Sequence, residues 1–329
     1  MTFAKAAGFV ALAAAAGAGY AALRISRPYS GFEAETFVEF PRGASAVSMA
    51  DSLAAAGVLR SRWDFLLVRL LERRRVLQAG DYRFQLPASP KSIFDRIARG
   101  DVFYYELTVP EGWNAFDIAT ALEQMGRFPA GRFLAAVRDP SAIRDLDPKA
   151  STLEGYLFPS TYRFGRHTTP EQLCQTMTAK FREEWRSLGT TADPHPIVTE
   201  ASLVEKESKL AYERPLIAQV FLNRLRLGMK LDCDPTAIYA AMLDERYRGT
   251  IYRSDLESAN AYNTYRHAGL PPGPIANPGL ASMRAVLAPE PSDALYFVLR
   301  PDGSGGHRFS TTIAAHEAAT AQYRRGLRR

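Results

Sequence analysis

Residues 38–57 read VEFPRGASAVSMADSLAAAG, and residues 107–126 repeat the same pattern as LTVPEGWNAFDIATALEQMG. The two stretches align without a gap at an offset of 69 residues, and the aligned identities include Pro41 with Pro110, Gly43 with Gly112, Ala50 with Ala119, Leu53 with Leu122 and Gly57 with Gly126. Each stretch predicts a short strand, a Pro-x-Gly turn and an amphipathic helix that ends at a glycine. We interpret the pair as an internal duplication; a chance likeness between two generic units is the alternative.

An aromatic strand follows each of the two units. It ends in Tyr-Arg-Phe at residues 82–84 after the first unit and at residues 162–164 after the second. The resulting strand–helix–helix–strand plan of residues 38–86 resembles a LysM-type module, the small fold that binds polymers of N-acetylglucosamine. The resemblance lies in the layout and not in a tight sequence motif.

The pattern changes from about residue 167 onward. Apolar periodicity predicts helices at 170–187, 196–210 and 214–227, followed by a stretch rich in Gly, Pro and Asn at 262–280. Leu295–Leu299 and Arg308–Ser310 flank a glycine-rich turn and predict a hairpin, and a last helix closes the chain. The predicted fold class is α+β. The predicted domains are an N-terminal apolar segment at 1–27, a LysM-like module at 28–105, a second LysM-like or connecting module at 106–166 and a C-terminal domain at 167–329.

The N-terminus carries an uncharged, mainly apolar run from Ala6 to Leu23, between Lys5 and the pair Arg24 and Arg27. About 18 helical residues span roughly 27 Å, which suffices for the hydrocarbon core of a bilayer. A cleaved signal peptide is the alternative, but its apolar region usually has about 7 to 15 residues. The sequence therefore favours a transmembrane anchor at residues 1–27, with an exported body.

The composition of this 329-residue chain argues against several classes of function and site. It is 47% hydrophobic and has a net charge of +6, but its basic residues are spread along the chain and accompany no nucleic-acid motif. Two cysteines, Cys174 and Cys233, cannot form a disulfide framework or a cysteine-rich zinc site. We expect two buried thiols, with a pairing of the two as the alternative.

A glutamate in the segment Ile197–Ser208 is the candidate catalytic acid. On a helical wheel Glu207 falls beside the apolar face of Ile197, Ala201, Val204 and Ala211, whereas Glu205 and Lys206 lie further round, toward solvent. Burial raises the pKa of a carboxyl group, as a general acid near neutral pH requires. Glu200 shares that face and competes, and a structural partner for an arginine is the other interpretation.

Two further stretches have the chemistry of a sugar-binding cleft. Asn223 interrupts an apolar stripe on the next helix and either binds a substrate or satisfies the fold. Asp234, Thr236 and Tyr239 come next, and residues 261–265 precede a Pro/Gly-rich turn at 269–279. Aromatic rings and amides suit sugars, although such turns are also ordinary loop features.

Ordered motifs in this region resemble a known family. They are LEGYLFPSTY (153–162), ASLVEKES, FLNRLRLGMKL, DPTAIY, AYNTY, GLPPGPIANPG, LYFV and GGHRFS. Their order and spacing are similar to those of the endolytic murein transglycosylases, the MltG (YceG-like) family, over roughly residues 30–325. The resemblance implies a single-pass anchor, LysM-like modules and a catalytic domain that breaks the MurNAc–GlcNAc β-1,4 bond of nascent peptidoglycan.

The resemblance also suggests roles for individual residues. The catalytic glutamate of the family is the second of a Glu-Lys-Glu tripeptide, which corresponds to Glu207, and Ser208 stands where threonine is common. Tyr262–Asn263 resembles a substrate-positioning motif of other lytic transglycosylases. The full set of predicted substrate-binding residues is Asn223, Asp234, Thr236, Tyr239, Tyr262, Asn263, Thr264 and Tyr265.

The predicted reaction needs one carboxyl group, no cofactor and no metal, and leaves 1,6-anhydroMurNAc ends. A hydrolase with Asp232 or Asp234 as a second carboxylate, a non-catalytic glycan-binding scaffold, and a zinc hydrolase using His307 and His316 are the alternatives, the last with unsuitable ligand spacing. The expected partners are peptidoglycan strands, the cytoplasmic membrane and peptidoglycan synthases, and not nucleic acid. The expected location is the cell membrane, with the catalytic domain on its extracytoplasmic side.

Overall fold

The computed structural model describes residues 2–326, with side chains from residue 8 onward. Met1 and residues 327–329, which belong to the predicted anchor and catalytic domain, lie outside the described residues. The chain forms two compact units, one of residues 1–105 with 163–167 and the other of residues 106–162 with 168–329. The predicted division differs, because it separates residues 106–166 from the C-terminal domain.

The first unit begins with a long apolar helix, α1 (Thr2–Ser26). Its segment Gly8–Ser26 has a mean hydropathy of 1.5 and is long and apolar enough to cross a membrane, a property it shares with signal sequences. The other elements are β1 (Thr36–Phe40), α2 (Ala46–Ala55), α3 (Arg62–Leu71), β2 (Gly80–Phe84) and α4 (Pro90–Arg99). The order β1–α2–α3–β2 is the predicted one, and the LysM likeness stays a prediction.

Strand alternation builds the core of this unit. Strands β1 and β2 are antiparallel, with Val38 opposite Tyr82, and both have the alternating burial of a two-sided ribbon. The inward side chains, with Phe65 and Phe94 from the two flanking helices, form one apolar cluster. Serine N-caps begin all three helices after α1, which is why each helix starts where it does.

The second unit holds most of the helices. The boundary between the two units passes through β3 (Tyr105–Thr108) and β4 (Thr161–Phe164). The other elements of the second unit are α5 (Ala115–Gln124), α6 (Ala130–Val137), α7 (Pro170–Ser187), α8 (Pro194–Glu207), α9 (Arg214–Arg226), α10 (Asp234–Leu243), α11 (Arg253–Leu256), α12 (Leu280–Leu287), β5 (Tyr296–Leu299), β6 (His307–Ser310) and α13 (Ile313–Gly326). Strands β3 and β4 pair, and β5 and β6 form the predicted antiparallel hairpin. Helix α8 packs against α9, α10 and α12.

The two repeated stretches have the same backbone conformation at their glycines. Units β1–turn–α2 and β3–turn–α5 each use a glycine with left-handed φ in the turn, 83° at Gly43 and 80° at Gly112. Each also ends its helix region at such a glycine, 69° at Gly57 and 66° at Gly126. The strands that carry Tyr-Arg-Phe are the partners of β1 and β3.

Candidate active site

A cavity of about 570 Å³ lies in the second unit, where the C-terminal end of α8 meets α9, the β5–β6 hairpin and α13. Its described lining mixes charged, aromatic and apolar groups: Glu207, Phe221, Arg224, Leu231, Asp232, Cys233, Asp234, Tyr265, Tyr296, Phe297, Ile313 and His316. Three of the predicted site residues, Glu207, Asp234 and Tyr265, therefore share one cavity.

Glu207 is the last residue of α8. Asp193 caps the helix by accepting from the N–H of His195, and Pro194 occupies its first turn. Of the predicted apolar face, Ala201 and Val204 are buried, whereas Ile197 is half-buried and Ala211 is exposed. The helix ends three residues earlier than predicted because Ser208 is extended, so Ala211 belongs to a following 3-10 turn.

The Glu207 carboxyl group is half-buried at the cavity wall. Burial raises its pKa to about 7, and the nearby charge of Asp234 also raises it. The thiol of Cys233 donates a hydrogen bond to Oε1 at 3.1 Å, which together with the charge of Arg224 lowers the pKa. A carboxyl group in this environment can hold a proton near neutral pH and can still be reached from the cavity.

A fixed cation stands beside this acid. Arg224 of α9 is 8% exposed and donates to the carbonyls of Leu231 at 2.8 Å and Leu295 at 2.6 Å. Its guanidinium also lies 5.1 Å from the centre of the Tyr296 ring. Carbonyl acceptors on several sides hold the charge in place at no reorganisation cost when a ligand enters.

Two aspartates complete the acidic part of the lining. Tyr265 donates from its hydroxyl to Asp234 at 2.6 Å. Asp232 has a left-handed φ of 47°, lies 3.5 Å from Arg224, and has its pKa raised by burial. Asp232 and Asp234 both line the same cavity as Glu207, so a second carboxylate is available near the Glu207 carboxyl group.

Glu200, the competing candidate, lies two turns before Glu207 on α8. It is 8% exposed, and burial raises its pKa to about 7. Seven residues correspond to about 10 Å along a helix, and the described lining of the cavity does not include Glu200. Glu200 and Glu207 therefore have similar pKa values, but only Glu207 belongs to the described lining of the cavity.

Glu205 does not face solvent as predicted. Its side chain is 4% exposed and accepts from Arg214 at 2.7 Å, from the N–H of Gly279 at 3.0 Å and from the hydroxyl of Ser282 at 2.8 Å. These bonds tie α8 to the start of α12. Lys206 is exposed, and its amine donates to the carbonyl of Gly112 at 3.1 Å.

Asn223, a predicted substrate contact, has hydrogen-bond partners within the fold. Its amide nitrogen donates to the carbonyls of Ser292 at 2.7 Å and Ala294 at 3.0 Å, and its oxygen accepts from Gln219 at 2.7 Å. These bonds hold the segment before β5 against α9. The amide on an apolar stripe is thus satisfied by the fold itself.

The Tyr262–Asn263 pair supports the loop rather than presenting polar groups to the cavity. Asn263 has no exposed surface, and its amide nitrogen donates to the carbonyls of Asp255, Leu256 and Ser258, while its oxygen accepts from the N–H of Tyr265. The half-buried Tyr262 packs on the Tyr239 ring, with centres 5.1 Å apart. Asn263 therefore positions Tyr265, which does line the cavity.

Three other predicted contacts are buried as well. The hydroxyls of Thr236 and Thr264 lie 2.8 Å apart, and Thr264 accepts from the N–H of Cys233 at 3.1 Å. Tyr239 donates to Glu154 at 3.1 Å. The two threonines fix the backbone of Cys233 and so position the site indirectly, and the described lining of the cavity includes neither them nor Tyr239.

Several lining residues were absent from the predicted site. Cys233 directly precedes Asp234, and Arg224 directly follows Asn223, so each lies next to a predicted site residue in the sequence. Tyr296 lies in the LYFV motif. Glu154, fully buried with its pKa raised by burial to about 7, was also missed; it accepts from the N–H of Ala115 and the amide of Asn277.

The histidines proposed as zinc ligands are differently engaged. His307 pairs with Glu213 at 2.8 Å, and His316 lines the cavity. Among the described residues, Glu39, Asp81 and His167 of the first unit bring possible ligand atoms within 4.8 Å of one another. That group is largely exposed, and the 3.2 Å pair of His167 with Glu39 is an ordinary surface contact.

A sequence profile of the YceG-like family matches residues 38–322. A relative from Bacillus subtilis (strain 168), named endolytic murein transglycosylase, is 32% identical over 307 residues, which cover 87% of this chain and 84% of the relative. A relative of the same name from Streptococcus pneumoniae serotype 2 is 30% identical over 294 residues. That alignment covers 79% of this chain and 53% of the relative, so this chain matches about half of its length.

The fold also resembles a solved structure. The crystal structure of a yceG-like protein from Listeria monocytogenes superposes with a TM-score of 0.55 at 31% sequence identity. The match covers 86% of this chain and 98% of the Listeria chain.

Proposed function

This chain belongs to the YceG-like family, and from that premise we propose that it is a lytic transglycosylase that cleaves the glycan strands of peptidoglycan. The relatives named endolytic murein transglycosylase support the substrate and the reaction class. The observation that carries the residue assignment is the Glu207 carboxyl group, which borders a cavity of suitable size with its pKa raised to about 7.

In the proposed reaction Glu207 acts first as an acid and then as a base. Its proton passes to the glycosidic oxygen between MurNAc and GlcNAc as the bond from that oxygen to C1 breaks. The resulting carboxylate takes the proton of the MurNAc C6 hydroxyl while the C6 oxygen bonds to C1 of the same sugar. The product is a 1,6-anhydroMurNAc end, and Glu207 returns to its protonated form without consuming water.

Neighbouring groups suit both halves of this cycle. The Cys233 thiol and the charge of Arg224 stabilise the carboxylate that exists between the two proton transfers. The Asp234 carboxylate, held by Tyr265, is suited to stabilise positive charge developing at C1 in an oxocarbenium-like transition state. One proton-transferring carboxyl group is therefore sufficient for the reaction.

Matched glutamine variants test the assignment. Glu207→Gln keeps the shape of the side chain but removes the proton, so cleavage of isolated peptidoglycan should fall by about 100-fold or more. Glu200→Gln is the control, because it alters a glutamate of the same helix and similar pKa outside the described lining. Loss of cleavage in both variants, or in neither, contradicts the assignment.

Product masses separate the lytic reaction from hydrolysis. A hydrolase that used Asp232 or Asp234 to activate water would release ends heavier by one water molecule. Anhydro ends from the wild type support the lytic reaction. If the wild type binds peptidoglycan but releases no ends, the glycan-binding scaffold is favoured instead.

We further propose that α1 remains attached as a single-pass anchor, with the catalytic unit outside the cytoplasm. Arg24 at the end of α1 donates to both oxygens of Asp64 at 2.8 Å, and Asp64 is 7% exposed. Cleavage within the apolar run would remove part of α1 and leave this ion pair in place. Cleavage after Arg24 would leave the buried Asp64 carboxylate without its cation. Intact mass of membrane-extracted protein decides, since a chain lacking α1 contradicts the anchor.

Two finer proposals follow from the same family. The LysM-like module of residues 28–105 would bind N-acetylglucosamine polymers, so soluble chitin oligosaccharides should compete with the binding of the Glu207→Gln chain to insoluble peptidoglycan. Cleavage close to the membrane would end the elongation of nascent strands and bring the enzyme near peptidoglycan synthases. Longer glycan strands in cells that carry only the Glu207→Gln chain would support that role.

A further inference from the structure

Helix α13 forms one wall of the Glu207 cavity through Ile313 and His316. The same histidine also lines a second cavity of about 450 Å³ on α13, whose described lining is His316, Glu317, Thr320, Ala321, Arg324 and Arg325. Residues 316, 320 and 324 repeat every four positions and thus share one face, spanning about 12 Å along the helix. A continuous polar surface therefore leads away from Glu207.

Two polar atoms on this face have no partner. His316 Nδ1 and Thr320 Oγ1 are both buried and make no hydrogen bond within the described part of the chain. Buried polar groups are paired in most native structures, so two unpaired groups one turn apart need a physical explanation. A polar ligand supplies one: Thr320 is half-buried, and threonine has two favourable χ1 rotamers in a helix, one of which can turn the hydroxyl outward.

The His316 ring is held in position by an aromatic neighbour. It stacks on Tyr296, with centres 5.2 Å apart and planes 22° apart. Burial lowers the pKa of His316, and the charge of Arg224 lowers it further, so the ring is neutral near neutral pH. Because Nδ1 is buried without an acceptor, the proton belongs on Nε2, which can then donate to a ligand.

We propose that the α13 face of His316, Thr320 and Arg324 is a subsite for the glycan strand where it continues beyond the bond at Glu207. His316 and Thr320 would bind hydroxyl or acetamido groups of the sugars. Arg324, with Arg325 beside it and Glu317 as the one acidic neighbour in that lining, would bind a carboxylate of the attached peptides. The subsite rests on the proposed function, because its ligand is the strand that Glu207 cleaves.

Strand length and peptide content provide the test. The full chain in detergent is given uncrosslinked glycan strands fractionated by length, either carrying peptides or stripped of them, and kcat/KM is measured for each fraction. Thr320→Val should lower kcat/KM on long strands of both kinds, and Arg324→Ala should lower it about tenfold on long peptide-bearing strands only. Both variants should equal wild type on the shortest strands that are cleaved.

Gln322→Ala is the matched control, since it is exposed on α13 and absent from both described linings. His316→Gln keeps a donor and should retain more activity than His316→Ala on every strand, with unchanged thermal unfolding. If Thr320→Val and Arg324→Ala match Gln322→Ala at all lengths, the subsite is refuted while the Glu207 reaction stands. If Glu207→Gln still cleaves, the proposed function itself fails.

Discussion

Replacement of Cys233 by alanine removes the hydrogen bond that its thiol donates to Glu207 over 3.1 Å. This bond stabilises the carboxylate and lowers the pKa of Glu207 against the larger effect of burial. A thiol is a weak donor, so we assign the bond about 0.7 kcal/mol, which corresponds to about half a pH unit. The pKa of Glu207 should therefore rise by that amount in the variant.

In the proposed reaction the first step requires the proton on Glu207, so cleavage by the wild type should fall as pH rises through about 7. In Cys233→Ala this fall should move to higher pH by about half a unit. Cys233→Ser keeps a donor and should leave the midpoint close to that of the wild type. Asp234→Asn removes a charge that raises the pKa of Glu207, so its midpoint should move to lower pH.

The assay is kcat/KM for the release of anhydro ends, measured from about pH 5 to pH 9 with thermal unfolding at each pH. A structural effect of the smaller side chain would lower the rate at every pH without moving the midpoint. An unchanged midpoint in Cys233→Ala, or shifts in the same direction for Cys233→Ala and Asp234→Asn, would refute the assigned electrostatics.

Glu207→Gln should raise the free energy of unfolding above about pH 7 by up to about 3 kcal/mol, because the wild-type carboxyl ionises more easily in the unfolded chain than in the folded one. The gain should vanish below about pH 4, where both states are protonated, and urea unfolding at both pH values measures it; equal stabilities at high pH would contradict the raised pKa. Asn263→Ala should lower the free energy of unfolding by about 2 to 4 kcal/mol, because three carbonyls lose their donor. A large loss of activity with unchanged stability would instead support direct substrate contact by Asn263.

Local signals explain the parts of the fold that the sequence predicted well. Helix α7 was predicted at 170–187 and occupies Pro170–Ser187, because Thr169 and Gln172 form a capping box and Pro170 fits the first turn. The β5–β6 hairpin likewise follows from two β-prone stretches around a glycine-rich turn. These elements depend on neighbours within a few residues.

Side-chain roles depended on partners that are distant in sequence. The helical wheel placed Glu205 toward solvent, but Gly279 and Ser282, 74 and 77 residues away, bury it. Asn223 is satisfied by carbonyls 69 and 71 residues away. An amide that completes the fold and one that binds a sugar look the same in a sequence, since both need hydrogen-bond partners.

The two copies of the duplicated turn show how distant contacts give one motif two uses. At Gly43 an added Cβ would meet no atom within 4 Å, so the first turn is open to its surroundings. At Gly112 it would lie 3.5 Å from Glu205 and 3.7 Å from Lys206, at the end of α8. The second turn thus packs directly against the helical turn that carries Glu207.

Hydrogen bonds secure this second turn from both sides. The carbonyl of Gly112 accepts from Lys206, and its N–H donates to the carbonyl of Asn277 at 3.0 Å. The Asn277 amide in turn donates to the carbonyl of Trp113, 164 residues away in sequence, and to Glu154. Asn277 belongs to the Pro/Gly-rich stretch that follows the Tyr262–Asn263 loop. This stretch therefore holds the second turn, and the Gly112 carbonyl of that turn binds Lys206 at the end of α8. The second repeat is therefore part of the support for Glu207, the proposed catalytic residue, and residues 106–162 belong to the C-terminal unit.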